Sequence, residues 1–155
     1  MALLPADIKQ SYPLPVYNYR VTIGKDTLGF SEVSGLSVEY EPVTYRHGFS
    51  FAMGAKLIPG MRQTAKITLK RGTCKNSPFL ADWFRTTYAN PFKNAKQDIQ
   101  VDLCDEAGLA VVRWTVLAAL PVKLDAPGFD ASSNDVAIES LELVAAEITV
   151  NYNPK

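Results

Sequence analysis

Apolar and polar residues alternate along most of the chain, and this period of two is typical of strands that bury one face. The first run ends at Gly24-Lys25-Asp26, which predicts a hairpin turn, and Ser34-Gly35 breaks the second. Before Pro121, apolar residues occupy odd and even positions alike, and this predicts a strand that is buried on both faces. The proline is predicted to end that strand. Strands are predicted at residues 17–23, 28–33, 36–41, 65–69, 99–103, 109–119, 136–144 and 148–152.

One segment has helical rather than strand periodicity. Ser77 is predicted as the N-cap and Pro78 as the first helical residue, and Asn90-Pro91 ends the element. Its apolar face is expected to cover a sheet edge or a barrel mouth, and it consists of Phe79, Leu80, Trp83, Phe84 and Tyr88.

These elements predict a mainly β fold, an antiparallel β-barrel or sandwich of about eight strands with one α-helix. Residues 1–12 show little periodicity and are predicted to form an N-terminal arm, followed by a single domain over residues 13–155. Residues 45–61 mix glycine, aromatic residues and methionine without alternation, which indicates a long loop or a protruding hairpin.

The amino-acid composition limits the classes of function that the chain can have. The chain has 155 residues, of which 47% are hydrophobic, so it can bury a core without metal or disulfide support. Sixteen basic residues balance sixteen acidic ones, which disfavours non-specific binding to polyanions. We expect neither a signal peptide nor a membrane-spanning segment. Cys74 and Cys104 lie thirty residues apart, which indicates reduced thiols rather than a disulfide framework.

The zero net charge hides a strong asymmetry along the chain. Between Glu41 and Asp82 there are seven basic residues and no acidic residue, whereas from Asp98 to the end ten acidic residues face three basic ones. Two explanations remain open at this stage. The oppositely charged segments pair within one subunit, or they form complementary surfaces on neighbouring copies.

Catalytic chemistry has little support. His47 is the only histidine, and the adjacent acids Asp105 and Glu106 fall in a probable hairpin turn where solvated carboxylates are common. Cys74, Cys104 and His47 lack the spacing of a metal site, and no glycine-rich segment lies between a strand and a helix. We therefore predict no catalytic, cofactor or metal site.

Several short motifs, weak alone but specific in their order, resemble the tail-tube proteins of contractile phages and of phage-derived extracellular contractile injection systems. The resemblance extends over nearly the whole chain. The C-terminal residues of this chain are more similar to those of the injection-system tubes than to those of the phage tubes. The motifs include Tyr12-Pro13-Leu14-Pro15, Phe30-Ser31-Glu32-Val33-Ser34-Gly35-Leu36, Ile58-Pro59-Gly60-Met61-Arg62, Asp105-Glu106-Ala107-Gly108 and Ser133-Asn134-Asp135-Val136.

The resemblance implies a structural subunit, not an enzyme. Six copies would form a ring, and stacked rings would form a hollow needle that a contracting sheath drives through a target envelope. The implied partners are sheath, baseplate or spike, and terminal cap proteins, with cargo in the lumen: an effector protein, or DNA in a phage. Assembly would occur in the bacterial cytoplasm, and function in a released particle or virion tail. The alternatives are a baseplate-proximal tube paralogue and, from another class, a small-ligand-binding β-barrel.

The segment without alternation is the best candidate for contact between subunits, since its apolar residues would be exposed in a lone monomer. Two basic residues at the end of the following strand are added on the ground of charge. The predicted interface residues are Tyr45, Arg46, His47, Phe49, Phe51, Met53, Leu57, Ile58, Lys70 and Arg71.

Overall fold

A computed structural model describes residues 13–90, 92–93 and 95–154 of the chain. The predicted arm, residues 1–12, lies outside the described residues. Two helices occur in them, α1 (Ser50–Met53) and α2 (Phe79–Ala89). The strands in the same residues are β1 (Tyr19–Ile23), β2 (Asp26–Leu28), β3 (Glu32–Ser34), β4 (Val43–Tyr45), β5 (Lys56–Ile58), β6 (Ala65–Gly72), β7 (Gln97–Cys104), β8 (Ala110–Asp125), β9 (Ile138–Ala145) and β10 (Glu147–Tyr152).

The long strand β8 joins two antiparallel layers. Its first half lies between β7 and β10, and its second half pairs with β9, which continues through β6 to β3. The strand changes layers near Ala118, which has a left-handed φ of 53°. The layers do not close into a barrel, so the predicted mainly β fold is confirmed as a sandwich.

The core lies between the two layers, and the alternation along each strand decides which residues enter it. Ile67 and Leu69 of β6 face Leu141 and Leu143 of β9, and all four side chains are fully buried. Leu80 and Trp83 of α2 complete the same apolar cluster.

Two predicted strands differ from the structure. Residues 28–33 are divided, because β2 pairs with β1 whereas β3 pairs with β6. Residues 36–41 form no strand; their only ladder contact is a bridge from Tyr40 to Arg62. Gly35, which separates these segments, has a φ of 86°, and a side chain there would overlap the carbonyl of Lys66. This close approach explains why the chain leaves the regular ladder at Gly35.

Pro121 does not end its strand, and that prediction was wrong. β8 continues to Asp125, with a register shift between Pro121 and Lys123. A bulge and an edge position both tolerate a residue without an N–H donor. Helix α2 covers this edge, since the Tyr88 hydroxyl donates to the Pro121 carbonyl at 2.7 Å.

The N-terminus of helix α2 also differs from the prediction. Pro78 occupies the N-cap position and no side chain caps the helix, so the assignment of Ser77 as N-cap was wrong. The apolar face is as predicted in the interior: Leu80 and Trp83 are buried, and the Trp83 indole N–H donates to the Ala95 carbonyl at 2.9 Å.

Candidate assembly surfaces

A protruding hairpin occupies the segment that lacks alternation. Strands β4 and β5 pair only with each other, and α1 lies between them, so the predicted hairpin is present together with a short helix that the sequence pattern missed. Phe51 is 90% exposed, Met53 76% and Phe49 68%. A two-stranded hairpin is marginally stable alone, and exposed apolar side chains on one are typical of an interface.

The hairpin tip has a defined conformation. The His47 N–H donates to the Ser50 hydroxyl at 2.7 Å, and His47 Nδ1 accepts from the Phe49 N–H at 3.1 Å. The His47 ring lies between those of Tyr45 and Phe49, with centroids 6.0 and 6.3 Å away. His47 therefore organises the tip, and the Ser50 hydroxyl contacts its backbone N–H rather than its imidazole ring.

The base of the hairpin is attached to the sandwich by polar contacts. Arg62 donates to the Tyr40 hydroxyl at 2.9 Å and forms an ion pair with Glu147 of β10 at 3.2 Å. Gln63 donates to the Glu41 carboxylate at 2.9 Å. These contacts anchor the hairpin beside the start of β10.

The remaining predicted interface residues, Leu57, Ile58, Arg46, Lys70 and Arg71, differ in exposure. Leu57 and Ile58 of β5 are exposed, and Arg46 follows β4 at the surface. Lys70 forms an exposed ion pair with Glu32 at 2.9 Å. Arg71 is only 5% exposed and lies 3.6 Å from the carboxylate of Glu139, inside the subunit.

The charge asymmetry is thus partly resolved within the subunit. Arg62 and Arg71 pair with Glu147 and Glu139, which belong to the acidic final third. Within the described part of the chain, four bases of the middle segment form no ion pair: Arg46, Lys56, Lys66 and Lys75. Only these remain available for a neighbour.

The outer face of the first layer is polar and carries a cluster that sequence reasoning missed. Arg20, Asp102, Arg113 and Asn151 lie side by side on β1, β7, β8 and β10. Arg113 donates two hydrogen bonds to the buried Asp102 carboxylate, at 2.6 and 3.0 Å, and Arg20 donates a third at 3.2 Å. No sequence signal joins residues so far apart, because only the strand register brings them together.

A second row on the same face has no charge. It runs across β2, β1, β7, β8 and β10, and each residue is the register partner of the next: Thr27, Thr22, Gln100, Thr115 and Thr149. This row of hydroxyl and amide groups gives the face a hydrated, weakly interacting surface.

Asp102 predicts a pH dependence of stability. Burial alone would raise the pKa of Asp102, but the hydrogen bonds from Arg113 and Arg20 outweigh burial and hold it below the ordinary value. The ionised carboxylate therefore stabilises the fold above its unfolded-state pKa of about 3.9, and this contribution is lost as pH falls through the lower folded-state value. Asp102→Asn should lower the free energy of unfolding by about 1.5–3 kcal/mol at neutral pH.

Urea unfolding from neutral to acid pH checks this, and Glu106→Gln is the matched control because Glu106 is exposed and forms no ion pair in the described residues. The wild type and the control should lose stability on acidification more steeply than Asp102→Asn. Equal acid slopes for all three proteins would show that Asp102 does not carry the effect.

Two edges of the first layer have no partner among the described strands. β10 pairs only with β8, and β2 pairs only with β1. The Asn153 N–H donates to the Val111 carbonyl at 2.7 Å. Because peptide groups of a strand alternate in direction, the N–H groups of Thr149 and Asn151 point toward β8, and those of Val150 and Tyr152 toward the free edge. An open strand edge is a template for pairing with another chain.

The described residues show little that suggests catalysis or ligand storage. They contain no group of three or more His, Cys, Asp or Glu residues able to hold a metal ion. Cys104 is buried and Cys74 exposed, and both are free. No helix in this part of the chain has the length and hydropathy needed to cross a membrane. The small-ligand barrel is not favoured, since the layers do not close.

These surfaces define a class of protein: a structural β-sandwich subunit with unpaired strand edges and an exposed apolar hairpin. Comparison with known proteins gives the same result. The sequence matches the family described as T4-like virus tail tube protein gp19 over residues 15–149. A comparison with curated proteins finds no significant match.

Of three similar solved structures, two come from an extracellular contractile injection system and one from the anti-feeding prophage. A chain of the PVC sheath–tube complex in the extended state is 33% identical, with a TM-score of 0.85, covering 97% of this chain and 99% of that one. A chain of the anti-feeding prophage tube-terminating cap is 33% identical (TM-score 0.83; 92% and 93% covered). A chain of the PVC sheath/tube terminator is 34% identical (TM-score 0.82; 91% and 98% covered). The chain belongs to the T4-like tail tube protein family.

Proposed function

We propose that this protein is the inner-tube subunit of a contractile injection system. Six copies form a ring, rings stack into a hollow rigid tube, and sheath contraction drives the tube through a target envelope. The observation that carries the proposal is the exposed apolar hairpin together with two unpaired strand edges, in a chain with nearly full-length similarity to a chain of a sheath–tube complex.

The polar face of the first layer is the proposed wall of the lumen. Joining the β10 edge of one subunit to the β2 edge of the next would produce a continuous barrel without free edges. The strands of this face carry two guanidinium groups and three carboxylates: Arg20, Arg113, Asp98, Asp102 and Glu147. Arg62, which follows β5, pairs with Glu147 and completes the balance of charge.

The zero net charge of the proposed wall affects which cargo the lumen can carry. A wall of zero net charge, crossed by a row of hydroxyl and amide groups, neither binds nor repels a polypeptide strongly. It also offers no general attraction to nucleic acid. Of the two cargoes considered, effector protein or DNA, the balance of charge favours the protein.

The relatives support the proposed partners. Similar chains occur in a sheath–tube complex, a tube-terminating cap and a tube terminator. On this ground we infer sheath and cap partners. We further propose a baseplate partner, cytoplasmic assembly, a site of action in a released particle, and a structural role without catalysis. A baseplate-proximal position is the second candidate, since a chain of the anti-feeding prophage baseplate shares the fold with a TM-score of 0.79.

Negative-stain microscopy with light scattering of the purified protein tests the proposal. Rings or tubes are expected. A species that stays monomeric at every concentration would overturn it.

The unpaired bases of the middle segment predict a salt-sensitive assembly. Raising salt from 0.1 to 1 M shortens the screening length from about 10 Å to about 3 Å, so attraction between neighbouring copies should weaken and assembly should slow. Reversing charge at exposed positions, Arg46→Glu with Lys56→Glu, should suppress assembly at low salt. Arg71 is unsuitable for this test because it is buried in the subunit.

Light scattering followed over time across this salt range measures the effect, and completed tubes should persist because apolar burial is not screened. Lys93→Glu, at an exposed position after α2 and outside the middle segment, is the control for charge reversal elsewhere. An assembly rate that salt does not change would show that these charges do not act between subunits.

A further inference from the structure

The sandwich has an apolar cleft that the described residues leave unfilled. The cleft lies between β3 and the ends of β1, β7 and β8 and has a volume of about 350 Å³. Its apolar lining comes from both layers: Val16, Tyr19, Val33, Leu36, Leu103 and Trp114. We call it the β3 cleft.

Beyond the cleft, the inner face of the first layer is also left uncovered by the described residues. Val150 and Tyr152 of β10 are the register partners of Trp114 and Val112, so their side chains lie on the core side of the layer. They are nevertheless 44% and 72% exposed. A core-facing surface that remains exposed in the monomer needs a covering group from elsewhere.

The tip of the hairpin supplies suitable groups, but not within the same subunit. Phe49, Phe51 and Met53 do not line the cleft, do not belong to the core cluster and are mostly exposed. The tip and the cleft are therefore two separate apolar surfaces of one chain. Such a pair forms heterologous contacts, which propagate around a ring or along a stack.

Charge is complementary between the two surfaces. The hairpin carries Arg46 and Lys56 and has no acidic residue. The β7–β8 turn, which follows the cleft residue Leu103, carries Asp105 and Glu106. Asp105 Oδ1 accepts backbone N–H groups of its own turn, whereas Glu106 forms no ion pair in the described residues.

We propose that the β3 cleft is the seat for the hairpin tip of a neighbouring copy of this chain, with its aromatic side chains against Leu36 and Trp114 and its bases beside the β7–β8 turn. The inference rests on the proposed function, because it requires assembly. It adds the receiving surface, which explains why the cleft and the core side of β10 are open in the isolated subunit.

Cysteine cross-linking in assembled particles tests the seat. In a Cys74→Ser background, Ala52→Cys places a thiol on α1 and Val16→Cys places one at the exposed rim of the cleft, while Cys104 stays buried. Oxidation of tubes verified by microscopy should convert monomers into a ladder of covalent multimers. The matched control pairs Ala52→Cys with Phe129→Cys, an exposed position in the β8–β9 loop, and should give no ladder.

Tubes that do not cross-link, or that cross-link equally in the control, overturn the seat and leave the proposed function intact. A protein that never forms rings or tubes overturns both.

A second variant fills the cleft: Leu36→Trp should abolish tubes while far-UV circular dichroism and unfolding remain those of the wild type. Phe129→Trp, at an exposed position of the β8–β9 loop away from the cleft, should assemble normally. Full assembly of Leu36→Trp would also overturn the seat.

Discussion

Replacing Phe49 and Phe51 together by alanine should abolish tube assembly while leaving the subunit folded. Both side chains are mostly exposed and lie outside the core cluster, so the free energy of unfolding should change by less than about 0.5 kcal/mol. Each phenylalanine that becomes buried between subunits contributes about 1.5–3 kcal/mol. The loss repeats at every subunit of every ring, so its effect on assembly should be large.

Microscopy and sedimentation measure assembly, and urea unfolding measures the subunit. Phe92→Ala is the matched control, because Phe92 is 98% exposed and lies outside the hairpin. Normal tubes in the double variant would exclude the hairpin as an assembly surface. Loss of the β-sheet spectrum together with assembly would mean instead that the two residues stabilise the subunit.

Val150→Pro should prevent ring closure with little effect on the subunit. The Val150 N–H points to the free edge of β10, so proline there removes no hydrogen bond within the subunit and is tolerated at an edge. A neighbouring strand that pairs with this edge would lose one donor and meet the proline ring. We expect monomers in place of rings and tubes.

Thr149→Pro provides the comparison, since the adjacent N–H points toward β8. That variant should unfold at lower urea concentration than Val150→Pro, because it loses a ladder hydrogen bond. Light scattering and urea unfolding of both variants separate the two roles. Intact tubes from Val150→Pro would show that β10 is not the edge that pairs between subunits.

Alternation along the chain was sufficient to predict most of the secondary structure. A strand that buries one face must repeat every second residue, so β1, β6, β7, β9 and β10 could be located directly. The protruding segment was located by the absence of alternation over residues 45–61, which predicted a long loop or a hairpin. Motif order along the chain was enough to identify the family before any fold was known.

Boundaries that depend on contacts between distant residues were not predictable. The break at Gly35 was predicted, but the division of residues 28–33 between β1 and β6 was not. Pro121 remains in β8 because a bulge and a helix hydroxyl accommodate it there. Local sequence contains none of these neighbours. The same limit applies to Arg71, which resembles an exposed base in sequence but lies on the core side of β6 beside Glu139.

The same distinction between local sequence and tertiary structure applies to the proposed assembly surfaces. The sequence alone determined the apolar hairpin and the imbalance of charge, because both are properties of contiguous residues. Only the tertiary structure decided which bases stay unpaired, how Arg20 and Arg113 share Asp102, and where the β3 cleft lies. Arg20 and Arg113 are 82 and 11 positions away from Asp102, and the strand register that brings them together is set by the packing of the whole core.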